Sequence, residues 1–88
     1  MSPSAVAAAA VRELGAMTGR AVEGVTSLGR SDDGWEVEVE VVESRRIPET
    51  TDLMALYEVQ VDGDGELVSY RRVRRYSRGQ TGGEQGSP

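Results

Sequence analysis

An Asp-Gly-Asp-Gly string between two apolar-rich runs constrains the fold of this chain more than any other feature. The string occupies residues 62–65, and the flanking runs occupy residues 52–61 and 66–78. Aspartate and glycine accept the backbone angles of tight turns, and apolar residues that alternate on both sides indicate paired strands. The sequence therefore predicts a β-hairpin over residues 52–78.

The register of this hairpin follows from its turn. A two-residue turn at Gly63-Asp64 sets which residues of the two strands face one another. The predicted pairs are Val59 with Val68 and Tyr57 with Tyr70. All four side chains then share one face, because successive side chains of a strand point to opposite sides. Aromatic and β-branched cross-strand pairs each stabilise a sheet by roughly 0.2–1 kcal/mol.

Composition bounds the class of protein. The 88 residues suffice for one domain, and a chain of this length buries only about 60% of its unfolded surface, so its core is thin. Cysteine and histidine are both absent, which excludes disulfides, thiolate metal sites and the usual general base. We therefore predict a protein that is not an enzyme and has no cofactor. The lack of cysteine also fits a reducing cytoplasm.

Two further strands are predicted between residues 21 and 43. Residues 35–43 alternate valine with glutamate after Trp35, which is typical of a strand with one covered side and one solvent-facing side. Residues 21–28 alternate less cleanly, and Gly24 indicates a bulge. The Ser-Asp-Asp-Gly sequence at 31–34 has the composition of a turn that joins the two strands.

Residues 1–18 predict a helix. Ser2 is suited to cap it, Pro3 suits its first turn and Gly19 suits its C-terminal end. The predicted core-facing residues recur at spacings of three and four: Ala7, Ala10, Val11, Leu14 and Met17. No basic segment precedes the apolar run, so the pattern is not that of a signal peptide, and the run is too short to cross a bilayer.

Together these elements predict an α+β fold in which one N-terminal helix packs on one face of a four-stranded antiparallel β-meander. The sheet residues expected to contact the helix are Trp35, Val37, Val39, Tyr57, Val59, Val68 and Tyr70. The predicted domain spans residues 1–78. Residues 79–88 are rich in Gly, Gln, Glu and Ser, so we expect a disordered tail.

Charge is distributed unevenly along the chain. The net charge is −5, all ten basic residues are arginines, and four glutamates fall between residues 36 and 43. The candidate partner-binding residues are the arginines of the last strand and of the loop before the hairpin: Arg71, Arg72, Arg74, Arg75, Arg78, Arg45 and Arg46. Guanidinium groups bind carboxylates through paired hydrogen bonds, so these residues predict docking of an acidic protein partner.

Three other interpretations of the last strand stay open. Its charge can guard an edge strand against pairing with another sheet, or neutralise the protein's own glutamates across the outer face. Interleaved arginine and tyrosine also suits single-stranded nucleic acid, whose bases stack on aromatic rings. The acidic net charge and the expected burial of Tyr70 disfavour nucleic acid. A small nucleic-acid-binding regulator is therefore the alternative function.

The segment Arg45-Arg46-Ile47-Pro48 predicts a loop between the second and third strands. Pro48 lacks a backbone donor and favours an extended conformation at Ile47. The loop is either a binding element, because loops often carry function, or a connector with Ile47 packed on the core. The residues themselves favour neither interpretation.

Five short segments, in order, resemble one known family. They read GRAVEGV, DGW, RRIP, TDLMALYEV and YRRVRRY and occupy residues 19–25, 33–35, 45–48, 51–59 and 70–76. Together they resemble the gas vesicle protein O family in its actinobacterial form, over about residues 10–78. The short alanine-rich start differs from members that carry long charged N-terminal extensions.

The resemblance implies an accessory protein of gas vesicle formation that has no catalytic activity. It further implies a cytoplasmic protein that acts during assembly through contacts with other gas vesicle proteins, both accessory and shell proteins. The exposed edge strand and the mixed outer face are also compatible with a homodimer. No contact with a membrane is expected.

Overall fold

The computed structural model describes residues 1–79 as one helix followed by a four-stranded antiparallel sheet. The helix α1 spans Pro3–Thr18, and a short 3-10 helix, Glu49–Thr51, lies between the second and third strands. The strands are β1 (Ala21–Ser31), β2 (Gly34–Ser44), β3 (Leu53–Asp62) and β4 (Leu67–Ser77), in the spatial order β1-β2-β3-β4. The predicted α+β fold is confirmed. Apart from Gly79, the predicted tail lies outside the described residues.

Both ends of α1 form as the sequence indicates. The Ser2 hydroxyl accepts a hydrogen bond from the Ala5 N–H at 3.2 Å, and Pro3 occupies the first helical position. Gly19 adopts a left-handed φ of 68° and donates its N–H to the Gly15 carbonyl at 2.8 Å. Local residue chemistry therefore determines where this helix begins and ends. Within residues 1–79, no helix has the length and apolarity needed to cross a membrane.

The core lies between α1 and one face of the sheet. Its helix residues are Val6, Ala10 and Leu14, and its sheet residues are Val37, Val39, Val41, Ala55, Val59 and Val61. Trp35, Tyr57 and Tyr70 pack around this cluster and stay partly exposed. Burial of each valine or leucine side chain stabilises the fold by about 1.5–3 kcal/mol. The valines of the alternating strand thus face the helix as predicted.

Two residues expected in the core are exposed. Met17 and Val68 are 60% and 64% exposed. The buried stripe of α1 runs through Val6 and ends at Leu14, and the next turn approaches β1 through Gly15, so Met17 points to solvent. Val6 is missing from the predicted helix face, because the predicted face is displaced by one residue from the stripe that is buried in the structure.

The β3–β4 turn also differs from the prediction. Gly65 donates its N–H to the Asp62 carbonyl at 3.0 Å, and the Asp62 N–H donates to the Glu66 carbonyl at 2.9 Å. These bonds enclose a three-residue loop in which Gly65 has a φ of +86°, an angle that favours glycine. The Asp62 carboxylate accepts from the N–H groups of Asp64 and Glu66, both at 2.9 Å.

The third loop residue and a neighbouring bulge change the register of the hairpin. Val59 pairs with Tyr70 and Tyr57 with Arg72, so both predicted pairs are wrong. The shift is an even number of residues, so both tyrosines stay on the helix-covered face, with ring centroids 5.9 Å apart. Val68 is the extra residue of the bulge, which explains its exposure.

A sequential meander has two different ends. We call the end with both hairpin turns the turn end (residues 31–34 and 62–66), and the opposite end, with the β2–β3 connection, the loop end (residues 44–53). The turn end carries acidic side chains: Asp32, Asp33, Asp62, Asp64 and Glu66. The loop end is next to arginines: Arg20, Arg45, Arg46, Arg75 and Arg78. The helix begins at the turn end, where Met1 contacts Gly65, so its positive N-terminal dipole lies near the aspartates.

Candidate functional site

Strand β4 does not present its arginines as one row. Arg71 pairs opposite Glu58 on the face of the sheet that α1 does not cover, which we call the open face. Arg72 lies on the helix-covered face. The register shift at Val73 then places Arg74 on the open face, and Arg75 follows on the helix-covered face. Successive residues of a strand point to opposite faces, so the predicted strip of like charge is divided between the two sides of the sheet, and the bulge decides which side Arg74 and Arg75 occupy.

Glu43 binds two of these arginines on the helix-covered face. Its carboxylate accepts from Arg72 Nη1 at 3.1 Å and from Arg75 Nε at 2.9 Å. The Glu43 side chain is 4% exposed, while the two arginine side chains remain about half exposed. Arg20 Nη1 also donates to the Glu43 carbonyl at 2.8 Å. Glu43 lies at a bulge after Val42 and is separate from the predicted solvent-facing glutamates of residues 36–40.

Asp52 links the β2–β3 connection to the end of β4. It is 1% exposed, and its Oδ1 accepts from the Arg46 backbone N–H at 2.7 Å. Its Oδ2 accepts from Arg78 Nη2 at 3.0 Å and lies 3.8 Å from Arg45 Nη1. The Arg78 backbone N–H donates to the Asp52 carbonyl at 2.9 Å, and the Arg78 guanidinium also bonds Glu23 of β1.

These bonds keep both partners charged. The hydrogen bond from the Arg46 N–H is the largest cause that holds the pKa of Asp52 below its usual value, and Arg78 acts in the same direction against the effect of burial. Hydrogen bonds to Glu23 and Asp52 raise the pKa of the Arg78 guanidinium. The link is therefore ionic throughout the physiological pH range.

The open face of the sheet neutralises much of its own charge. Arg71 Nη2 lies 2.9 Å from Glu58 Oε1, and the Arg74 guanidinium lies 4.7 Å from the Tyr76 ring centroid. The Tyr76 hydroxyl donates to Glu40, and burial together with this carboxylate raises the pKa of the Tyr76 hydroxyl. This arrangement agrees with the interpretation in which the arginines neutralise the protein's own glutamates.

A small second cluster covers part of this open face. Val42, Met54 and Tyr76 are buried against one another across β2, β3 and β4, with Leu56 beside them. At the other end of the face, Glu36 accepts from Gln60 Nε2 at 2.9 Å. Within residues 1–79, no three acidic side chains lie close enough together to hold a metal ion.

Ile47 occupies the tip of the β2–β3 connection and is 99% exposed. The interpretation in which Ile47 packs on the core is therefore wrong. Arg45 and Arg46 beside it are exposed as well. The loop is nevertheless held on both sides of Ile47, by the Arg46–Asp52 bond and by the Thr51 N–H, which donates to the Pro48 carbonyl at 2.9 Å.

The structure brings three of the predicted arginines together around Asp52: Arg45, Arg46 and Arg78. Arg72 and Arg75 meet at Glu43, and Arg71 stands apart on the open face. Sequence reasoning missed both acidic centres. Asp52 and Arg78 are 26 residues apart, so no local pattern of residue types indicates that they meet.

The comparisons with known proteins agree on one family. The family model described as "Gas vesicle synthesis protein GvpO" matches residues 1–82. Gas vesicle protein O from Streptomyces sp. strain CB03234 is 49% identical over 80 residues, which are 91% of this chain and 62% of that protein. No solved structure matches the chain.

Two archaeal proteins are more distant relatives. Gas vesicle protein O1 of Halobacterium salinarum is 40% identical over 57 residues, which cover 65% of this chain and 48% of that protein. Gas vesicle protein O of Haloferax mediterranei is 36% identical over 58 residues, covering 65% of this chain and 41% of that protein. The chain thus spans less than two thirds of these curated relatives. The match to the family model and to the Streptomyces protein places this chain in the gas vesicle synthesis protein GvpO family.

Proposed function

We propose that this protein takes part in gas vesicle synthesis by binding other gas vesicle proteins during assembly in the cytoplasm. The description of its family supports a role in gas vesicle synthesis, and that description mentions no enzymatic reaction. The protein acts as an assembly factor, without catalysis and without a cofactor. Its partners are accessory proteins or shell proteins of the vesicle that present carboxylates.

The observation that carries this proposal is the concentration of exposed guanidinium groups around the loop end. The side chains of Arg45 and Arg75 are 66% and 50% exposed, although each also contacts an acidic residue of the protein. A guanidinium has five N–H donors, so a contact with one carboxylate leaves donors for a second. Arginines positioned by Glu43 and Asp52 lose less conformational freedom on binding than mobile arginines would.

A nucleic-acid partner is supported less well. Stacking requires accessible aromatic faces, but Tyr70 is partly buried against Tyr57, and Arg74 covers the buried Tyr76. The net charge of −5 also repels phosphates. The nucleic-acid regulator therefore stays the alternative that the experiment must exclude.

The test is a pull-down from cells that express the complete set of gas vesicle proteins, with the tagged protein as bait and with parallel lysates that contain or lack nuclease. We expect other gas vesicle proteins to stay bound at low salt and to be retained less at high salt, because salt screens ion pairs between exposed side chains. A complex held by many phosphate contacts would weaken more steeply with salt and would be lost in the lysate with nuclease. Recovery of nucleic acid alone in the samples without nuclease would contradict the proposal.

A pair of matched variants locates the contact. The double substitution Arg45→Glu, Arg46→Glu reverses two exposed charges at the loop end, and we expect it to reduce retention of gas vesicle proteins at least tenfold. Arg12→Glu is the control, because Arg12 is an exposed arginine on α1 that lies 3.7 Å from Glu13. Equal retention by both variants would show that the loop end does not bind the partners.

A further inference from the structure

Two surface features at opposite ends of the sheet complement each other in shape and in charge. At the loop end, Ile47 projects beside the exposed Arg45 and Arg46 and is 99% exposed. At the turn end, an open cleft of about 290 Å³ lies between the two hairpin turns. The first feature is an apolar projection with basic neighbours, and the second is a recess with acidic neighbours.

The Ile47 projection is held in a fixed position. The N–H group of Arg46, on one side, donates to the buried Asp52 carboxylate at 2.7 Å. The carbonyl of Pro48, on the other side, accepts from both the N–H and the hydroxyl of Thr51, at 2.9 and 2.7 Å. An apolar side chain held away from the surface in this way loses little conformational freedom on binding.

The cleft owes its shape to the bulge in β4. Val68 contributes exposed apolar surface to its lining, because it is the extra residue of that bulge, whereas Val61 borders the cleft but is only 3% exposed. Asp32 and Asp33, on the other hairpin turn, contribute acidic groups. The cleft is larger than an isoleucine side chain, so it can accept one without a change of the backbone.

We infer that the loop end of one copy of this protein docks in the turn-end cleft of a second copy. Ile47 packs against the exposed Val68, while Arg45 and Arg46 face the aspartates of the first hairpin turn. This inference goes beyond the proposed function, since it adds a second copy of the chain to the partners. The two surfaces belong to opposite ends of the sheet, so one copy can bind two others at the same time.

The contact is therefore head-to-tail rather than two-fold symmetric. Such a contact either closes into a ring or extends as an open chain. A projection of one isoleucine and two arginines buries little area, and small interfaces are typically weak. We expect reversible association in the micromolar range or weaker, which increases with protein concentration and decreases with salt.

Sedimentation velocity of the purified protein over a series of concentrations is the first test. Wild-type protein should show a sedimentation coefficient that rises with concentration. Ile47→Asp should raise the concentration needed for association at least tenfold, because it removes the apolar contact of the isoleucine side chain. The new carboxylate would also be repelled by the aspartates of the cleft. Met17→Asp is the matched control, since Met17 is an exposed apolar residue on α1, and it should associate like wild type.

Mixing two variants tests the head-to-tail geometry. Ile47→Asp disables the projection and keeps the cleft, whereas Val68→Arg fills the cleft and keeps the projection. Each variant alone should be monomeric, and an equimolar mixture should form a dimer and nothing larger. Unchanged circular dichroism would show that both variants remain folded, which their exposed positions lead us to expect.

Exchange of charges tests the pairing of residues. Asp32→Arg with Asp33→Arg, or Arg45→Glu with Arg46→Glu, should each weaken association. A chain that carries all four substitutions should associate again, because both surfaces are then reversed. Failure of this chain to recover association would overturn the pairing that we infer.

Wild-type protein that stays monomeric at its highest soluble concentration would overturn the inference. The proposed function can fail separately, since the pull-down measures other gas vesicle proteins and the sedimentation experiment contains only this one. A monomer that retains other gas vesicle proteins would leave the proposed function standing. A self-associating protein that retains none would contradict the proposed function and support the second-copy contact.

Discussion

The two ends of the sheet are held by different kinds of contact. At the turn end, residues next to each other in the chain form the structure: Asp62 accepts hydrogen bonds from residues two and four positions later, and Gly65 provides the left-handed angle. At the loop end, Asp52 depends on Arg78, which is 26 residues away. Local turn chemistry is sufficient in the first case, while the second requires a folded sheet.

This difference separates residues that stabilise the fold from a side chain that is exposed for binding. At the turn end, Gly34 accepts a close approach of the β3 backbone, so a larger residue at this position acts on the fold. At the loop end, Ile47 is an exposed side chain on a backbone held by the buried Asp52 carboxylate, so a change of Ile47 can act on the loop and leave the sheet intact.

Gly34→Ala should be the most harmful of these changes. A Cβ atom at Gly34 would lie 2.0 Å from the Val61 carbonyl oxygen and 2.8 Å from the Asp62 Cα, so β2 and β3 would have to separate. We expect a loss of about 3 kcal/mol or more in the free energy of unfolding, measured by urea denaturation. Gly29→Ala is the control, because a Cβ atom there meets nothing within 4 Å. Equal stability of the two variants would contradict the close approach.

Asp52→Asn should destabilise the loop end. It removes the negative charge that Arg78 and the Arg46 N–H share, and we expect Tm to fall by about 10 °C. Asp64→Asn, at an exposed position of the turn end, is the control and should leave Tm within about 2 °C. A similar decrease in both variants would indicate a general effect of charge rather than the Asp52–Arg78 link.

The same link predicts a dependence on pH. The pKa of Asp52 is lowered in the folded protein, so this carboxylate stabilises the fold above the unfolded pKa of about 3.9. The contribution is lost as the pH falls through the lower, folded pKa. We expect wild-type stability to decrease more steeply than that of Asp52→Asn below about pH 4. Parallel pH profiles of the two proteins would contradict this assignment.

Gly65→Ala should have a smaller effect than Gly34→Ala. Gly65 adopts a φ of +86°, which costs an alanine roughly 1–2 kcal/mol, and the crowding that results involves only the Met1 side chain, which can move. Gly63→Ala in the same loop is the matched control, since its φ is not positive and a Cβ atom meets nothing within 4 Å. Chemical denaturation should show a lower free energy of unfolding for Gly65→Ala than for Gly63→Ala. Equal values for the two variants would contradict a cost of the backbone angle at Gly65.

Ile47→Ser should change stability least. The side chain contacts almost nothing in the fold, so we expect a change within about 0.5 kcal/mol in the free energy of unfolding. A cooperative melt at the wild-type temperature would support a loop that presents Ile47 without depending on it. A marked loss of stability would mean that Ile47 packs on the protein in solution.

Much of the fold could be read from the sequence because its signals are local. Ser2, Pro3 and Gly19 indicate the ends of α1, and the alternation after Trp35 indicates which residues of β2 face the helix. The candidate site was harder to predict. The seven arginines stay candidates, and strand alternation separates Arg71 from Arg72 and Arg74 from Arg75. The faces that Arg74 and Arg75 occupy depend on a bulge at Val73, for which the sequence has no glycine or other marker.

The helix, the number and order of the strands, the positions of the turns and the valine face of the core could all be predicted from the residues alone. Each of these depends on residues within a few positions of one another. The register of the last hairpin, the contacts of Asp52 and Glu43, and the exposure of Ile47 follow from the folded sheet. These depend on bulges and on charges brought together from distant strands, because an antiparallel sheet joins residues that the chain separates.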